Sequence, residues 1–181
     1  MKTKSYLTLL FVVCLLFISS GIINAQQSIQ ASPTRFIAYS LYNFSKFIDW
    51  PSDAFSNTFQ IAIVGDKNVY QELLDLAKNK KQGNATYQIS YFKNSNELSG
   101  ANNIIYLSNF YSGKVHDLSI KISTHGVLLV TEREGMSGQG STICFVTADN
   151  GTMGFELSTA NAVKSQLKVH TQLEKLALKV D

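Results

Sequence analysis

Phe59-Gln60-Ile61-Ala62-Ile63-Val64-Gly65-Asp66 decides the fold class. Residues 59–64 form an apolar run of strand length, consistent with a strand buried on both faces. Gly65-Asp66 turns the chain. A helical pattern then runs from about Val69 to Lys80, with Asn68 as a candidate cap and Gln71 three residues later. Lys78, Lys80 and Lys81 suit the negative end of that helix dipole, and Gly83 suits its exit.

The same alternation continues downstream. Tyr87 to Phe92 reads as a strand with Tyr87, Ile89 and Tyr91 on one face. A helical turn is expected around Ser95 to Leu98, then a strand at Ile104 to Leu107. Val115, Leu118 and Ile122 mark a helix closed by His125-Gly126, and Val127 to Val130 is the next strand. The pattern then changes. Ser141 to Thr147 and Thr152 to Leu157 flank the turn Asp149-Asn150-Gly151, a hairpin signature. Ser158 or Thr159 caps a final helix predicted to run to about Lys179. Strands alternating with helices predict a three-layer α/β sandwich. Its sheet is mostly parallel, with an antiparallel hairpin near one edge.

Upstream, Pro33 and Pro51 bracket a first helix that Ser32 can cap. Its end is expected near Asp49-Trp50, because Pro51 disfavours helical geometry in the residue before it. The helix is rich in aromatics: Phe36, Tyr39, Tyr42, Phe44 and Phe47, with Trp50 just beyond. Such a stripe packs against a sheet, or presents part of itself to a partner, where aromatics dominate binding anchors.

The first 25 residues read as an export signal. Lys2 and Lys4 precede an apolar run from Leu7 to Ile18, and Ile23-Asn24-Ala25 offers a cleavage site before Gln26. The alternative is an uncleaved anchor, since Tyr6 to Ile23 approaches a spanning length of about 20 residues. Cleavage after Ala25 leaves a single domain over residues 26–181 in the periplasm. Of the 181 residues, 156 remain, with 14 basic and 13 acidic side chains and a net charge of +1. That balance argues against nucleic-acid binding, which needs a basic patch or stripe. Only Cys144 survives, inside the apolar run 143–146, so it reads as a buried, inert thiol.

Catalytic signatures are missing from the sequence. The glycines of residues 134–140 match neither a P-loop nor a dinucleotide fingerprint, and a strand follows them. Gly65-Asp66-Lys67-Asn68 stands where anions can dock, but one glycine is a weak signal. The sequence contains neither a G-x-S-x-G elbow nor a zinc-type histidine pair. No enzyme, cofactor or metal is expected. His116 falls on the polar side of its helix, and His125 suits a helix C-terminus. His170 is the exception, because Ala160, Val163, Leu167, His170, Leu173 and Ala177 repeat at helical spacing. Glu156 is a second exception, in an otherwise apolar strand. The two either make a structural hydrogen bond or line a small pocket with Lys168 as a peripheral cation. Histidine changes charge near neutral pH, so such a pocket would respond to pH.

Several stretches together resemble the YfiR-like family of exported bacterial regulators. They are Phe44-Ser45-Lys46-Phe47-Ile48-Asp49-Trp50-Pro51, Ile61-Ala62-Ile63-Val64-Gly65, Asn103-Ile104-Ile105-Tyr106-Leu107-Ser108, and the block from Gly126 to Ala177 with Gly154-Phe155-Glu156-Leu157-Ser158. The resemblance implies a periplasmic α/β homodimer without catalytic residues. Such a protein restrains a membrane-bound diguanylate cyclase, or a sensor kinase, and so influences cyclic-di-GMP and biofilm formation. Family members often carry cysteine pairs, whereas Cys144 stands alone here, and Ser158 replaces the family's Asn. The candidate contacts are Phe44, Phe47, Trp50, Phe145, Glu156, Lys168 and His170. The alternative function is a periplasmic small-molecule binding protein.

Overall fold

The computed structural model describes residues 32–121 and 125–181. The expected export signal lies outside the described residues, as does Ile122. Helix α1 covers Pro33–Lys46. Ser32 caps it by accepting from the Arg35 amide at 3.3 Å, and Pro33 occupies the first turn. The helix stops four residues before Trp50, because Ile48–Asp49 forms a short strand, β1. Strand β2 spans Thr58–Val64 and leads into helix α2, Lys67–Ala77. The cap of α2 is Asp66, not Asn68: its carboxylate accepts from the amides of Asn68 at 2.8 Å and Val69 at 3.0 Å. A carboxylate at this point also meets the positive end of the helix.

Strand β3, Lys81–Gln82, folds back antiparallel on β4, Ala85–Phe92. Next come β5 at Ile104–Leu107, helix α3 at Val115–Lys121 and β6 at Leu128–Thr131. The hairpin pairs β7, Ile143–Thr147, with β8, Met153–Leu157. Residues 134–140 are pinned rather than loose. Met136 is buried, and the Asn161 side-chain amide donates to the carbonyls of Ser137 and Ser141.

The C-terminal segment is where the sequence-based expectation fails. Helix α4 ends at Lys164 instead of continuing to Lys179. A two-residue strand β9 follows at Lys168–Val169, then helix α5 at Thr171–Glu174 and strand β10 at Lys179–Val180. Gln166 adopts the left-handed conformation, φ 57°. The Leu167 amide then bonds to the Ala162 carbonyl and the Gln166 amide to the Val163 carbonyl, both at 2.9 Å. These are the two hydrogen bonds of a Schellman ending, normally signalled by glycine. Ala162 and Leu167, on either side of the turn, are both buried, which supplies the apolar contact that accompanies it.

Among the described residues, the main sheet runs β10-β8-β7-β6-β5-β2-β4-β3. The pairs of β2 with β4 and β5, of β5 with β6 and of β6 with β7 are parallel. The hairpin is antiparallel and lies one strand in from the edge, because β10 adds to β8 in parallel. This is a mostly parallel α/β sandwich, as the alternation predicted. After β4 the chain returns to the other side of β2, so the topological switch lies between β2 and β5.

Strand alternation sends side chains to two faces. Phe59, Ile61, Ile63, Tyr106, Val130, Phe145 and Leu157 pack with Ile37, Leu41 and Phe44 of α1 and with Val69 and Leu73 of α2. Ala62, Val64, Ile105, Leu107, Leu129 and Cys144 pack with Val115 and Leu118 of α3. Cys144 is a buried free thiol that accepts from the Thr131 hydroxyl at 3.4 Å. The two-faced burial explains why these strands read as apolar runs.

Candidate functional site

Two short segments far apart in sequence meet at the end of α1. Phe47 closes that helix, its amide bonding to the Asn43 carbonyl at 3.0 Å. The chain is then extended through β1, and β9 pairs with it antiparallel, Ile48 opposite Val169 and Asp49 opposite Lys168. One more hydrogen bond, from the His170 amide to the Phe47 carbonyl at 3.0 Å, continues the ladder. Ile48 is buried, so alternation turns Asp49 to the other side, while Phe47, at the end of the helix, is half-buried.

That side carries the chemistry. His170 Nε2 donates to Asp49 Oδ1 at 2.7 Å. The Phe47 and His170 rings meet edge to face, with centroids 6.5 Å apart. Lys168 is exposed beside them. The hydrogen bond from His170 holds the Asp49 carboxyl below its usual range, aided by the positive charges of His170 and Lys168. Trp50, the next residue, turns back to the core. Its indole N–H donates to the Ser45 carbonyl at 3.3 Å, and its ring packs edge to face on Phe59 at 5.0 Å. The result is a braced surface patch containing an aromatic ring, an acid–imidazole pair and a lysine.

Three of the predicted contacts, Phe47, Lys168 and His170, therefore gather here, while Trp50 packs on the core. Phe44 and Phe145 do not reach the surface. Each is 1% exposed, and their rings stack on one another at 5.9 Å inside the core. Burial removes them as direct contacts. Glu156 also lies elsewhere: it is in register with Cys144 and Lys179, on the α3 side of the sheet. His170 instead borders Phe47, which packs against the α1 side. Glu156 and His170 thus lie on opposite sides of the sheet, and the carboxylate that meets His170 is Asp49. The apolar stripe that singled out His170 assumed a continuous helix, which the turn at Gln166 breaks. His125 likewise has a partner, Asp53 Oδ1 at 3.0 Å.

The carboxyl ends of β5 and β6 hold a group the sequence did not single out. Glu132 accepts from the Asn109 amide at 2.6 Å. The Tyr106 hydroxyl beside it is fully buried and lacks a well-formed hydrogen bond. Burial pushes the Glu132 carboxyl up; the hydrogen bond from the Asn109 amide only partly offsets this. A raised folded-state pKa means that ionising Glu132 costs stability. The cost is complete above the folded pKa and absent below the unfolded one. Glu132→Gln keeps an acceptor for the Asn109 amide. The variant is expected to be more stable than the parent at pH 7, and the difference should vanish as pH falls below the ordinary glutamate range. Urea unfolding across pH checks this; a stability gain that does not change with pH would contradict it.

The fold defines the class as a doubly wound α/β domain, with a braced aromatic and charged patch at the end of its first helix. The chain belongs to the YfiR/HmsC-like family, which it matches over residues 35–178. No curated protein matches the chain.

Proposed function

We propose that this chain is an exported, non-enzymatic regulatory protein that binds and restrains the periplasmic domain of a membrane-bound signalling protein. The observation that carries this reading is the patch of Phe47, Asp49, Lys168 and His170 at the β1–β9 junction. Aromatic side chains are enriched at interface cores, and charged groups around them suit a polar rim. Family membership supports a regulatory role, and the family's diguanylate cyclase, with output through cyclic-di-GMP and biofilm, is the first choice of partner. A sensor kinase is the other. The protein acts as a homodimer in the periplasm after signal cleavage near Ala25.

Restraint works by binding one state of the partner's outer domain better than the other. A near-complete switch needs about 5.5 kcal/mol of differential affinity. In-cell crosslinking of the tagged protein followed by mass spectrometry is expected to recover a membrane protein with a periplasmic domain. Phe47→Ala combined with His170→Ala should weaken that capture by about tenfold or more, with unfolding still cooperative. Recovery of the chain's own dimer alone, with crosslinking controls working, would instead favour a periplasmic small-molecule binding protein.

A further inference from the structure

We propose that the groove between the end of α2 and β4 is a binding site for a small anionic amphiphile, a phosphate or carboxylate head on an apolar or aromatic body. The cavity measures about 630 Å³, within the range of small-molecule sites. Leu74, Ala77, Tyr87 and Ile89 supply apolar wall, while Lys78, Lys80 and Lys81 line it with cations.

A fourth lysine, from another element, flanks this lining through Lys81 and Tyr87. Lys46, in the last turn of α1, donates to the Lys81 carbonyl. Its ammonium lies 5.4 Å from the Tyr87 ring centroid and 5.5 Å from that of Tyr42. The Lys80 ammonium sits 4.8 Å from the same Tyr42 ring. Two cations thus share one aromatic platform, which is itself a tilted Tyr42–Tyr87 pair with centroids 5.6 Å apart. Partial burial and the nearby Lys80 charge hold the Lys46 ammonium below the usual lysine range.

The balancing anion is what the cluster lacks. The ion pairs among the described residues join Arg35 with Glu72, His125 with Asp53 and His170 with Asp49; none uses these lysines. Asp75 is the acidic side chain in the lining. The ends of α1 and α2 each contribute about half a negative charge. Four ammonium groups still leave an excess of about two positive charges. The wall is also firmly placed: the Tyr87 hydroxyl bonds to Ser45 Oγ at 2.6 Å and Gln82 Oε1 at 3.3 Å. Burial pushes its pKa up to about 12, so the phenol adds no competing negative charge at neutral pH.

The test uses the mature chain and two probes, phenyl phosphate and inorganic phosphate, titrated calorimetrically at fixed ionic strength. Phenyl phosphate is expected to bind saturably and about tenfold or more tighter than inorganic phosphate, because only it uses the apolar wall. Lys46→Gln with Lys80→Gln is expected to weaken it by about tenfold, with the circular dichroism spectrum unchanged. Leu74→Glu, on the exposed side of α2, should do the same by placing a carboxylate in the groove. Three results would each overturn the site: no saturable binding, equal affinity for the two probes, or undiminished binding in the folded variants. Vesicle cosedimentation then identifies the source. Retention on phosphatidylglycerol but not phosphatidylcholine, lost in the same variants, assigns a lipid headgroup. Phenyl phosphate binding without vesicle retention assigns a free metabolite. Both support the site.

Discussion

Phe44→Ala is expected to cost about 3–5 kcal/mol of unfolding free energy, the usual range for emptying an aromatic core position. The Phe44 ring stacks on Phe145 at 5.9 Å and meets Phe155 edge to face at 5.2 Å. It therefore joins α1 to both strands of the hairpin. Deleting it removes buried area, two aromatic pairs and the contact that orients the helix on the sheet. A domain of this size is stable by about 5–15 kcal/mol, and about 2–4 °C is lost per kcal/mol. The melting temperature should fall by about 6–20 °C. Urea unfolding with a well-defined baseline measures the effect. A loss under about 1 kcal/mol would show that the cluster is not a close-packed core. Phe47→Ala, three residues along, is the control. That side chain is only half-buried, so its main effect should be on partner capture rather than on stability.

The second large effect is expected at Gly65, where β2 turns towards α2 at the topological switch. Its φ is +82°, and a Cβ placed there would lie 2.4 Å from Tyr111 Cδ2 and 2.6 Å from Ser108 Oγ. Alanine meets two penalties. The left-handed conformation costs about 1–2 kcal/mol, and forcing the Tyr111 ring aside costs about 1–3 kcal/mol. Together Gly65→Ala should destabilise by about 2–5 kcal/mol. Gly83→Ala separates the two terms, because Gly83 also has positive φ, +57°, but nothing lies within 4 Å of the added Cβ. It should cost only the conformational part. Equal losses in the two variants would remove the steric argument and with it the close approach of Tyr111 to the β2 turn. At the switch point of a doubly wound sheet, where many folds leave a crevice, this approach puts an aromatic ring against the backbone.

Elements whose causes are local were legible in the residues. The apolar run in residues 59–64 identified a buried strand, residues 104–107 read as a further strand, and Asp149-Asn150-Gly151 identified the hairpin. Pro33 and Ser32 set the start of α1. Cys144 was recognisable as buried because its neighbours are apolar. Each inference rests on periodicity or on a cap that acts within a few residues. The patch at the β1–β9 junction was only partly legible. Phe47, Lys168 and His170 stood out by residue type, but the reason given for His170 required a helix that does not form. Phe44 and Phe47 are both aromatic and belong to the same stretch, and their local sequence does not reveal which is buried.

Those points depend on long-range packing. Gln166 enters the left-handed region without the glycine that usually announces it, because buried Ala162 and Leu167 and two carbonyl caps stabilise the turn. That turn frees Lys168 and Val169 to pair with Ile48 and Asp49, and it brings His170 to Asp49 across 121 positions of chain. Side-chain periodicity encodes which face an element buries. It carries no information about which distant segment will complete a ladder, because that choice depends on the packing of the whole domain.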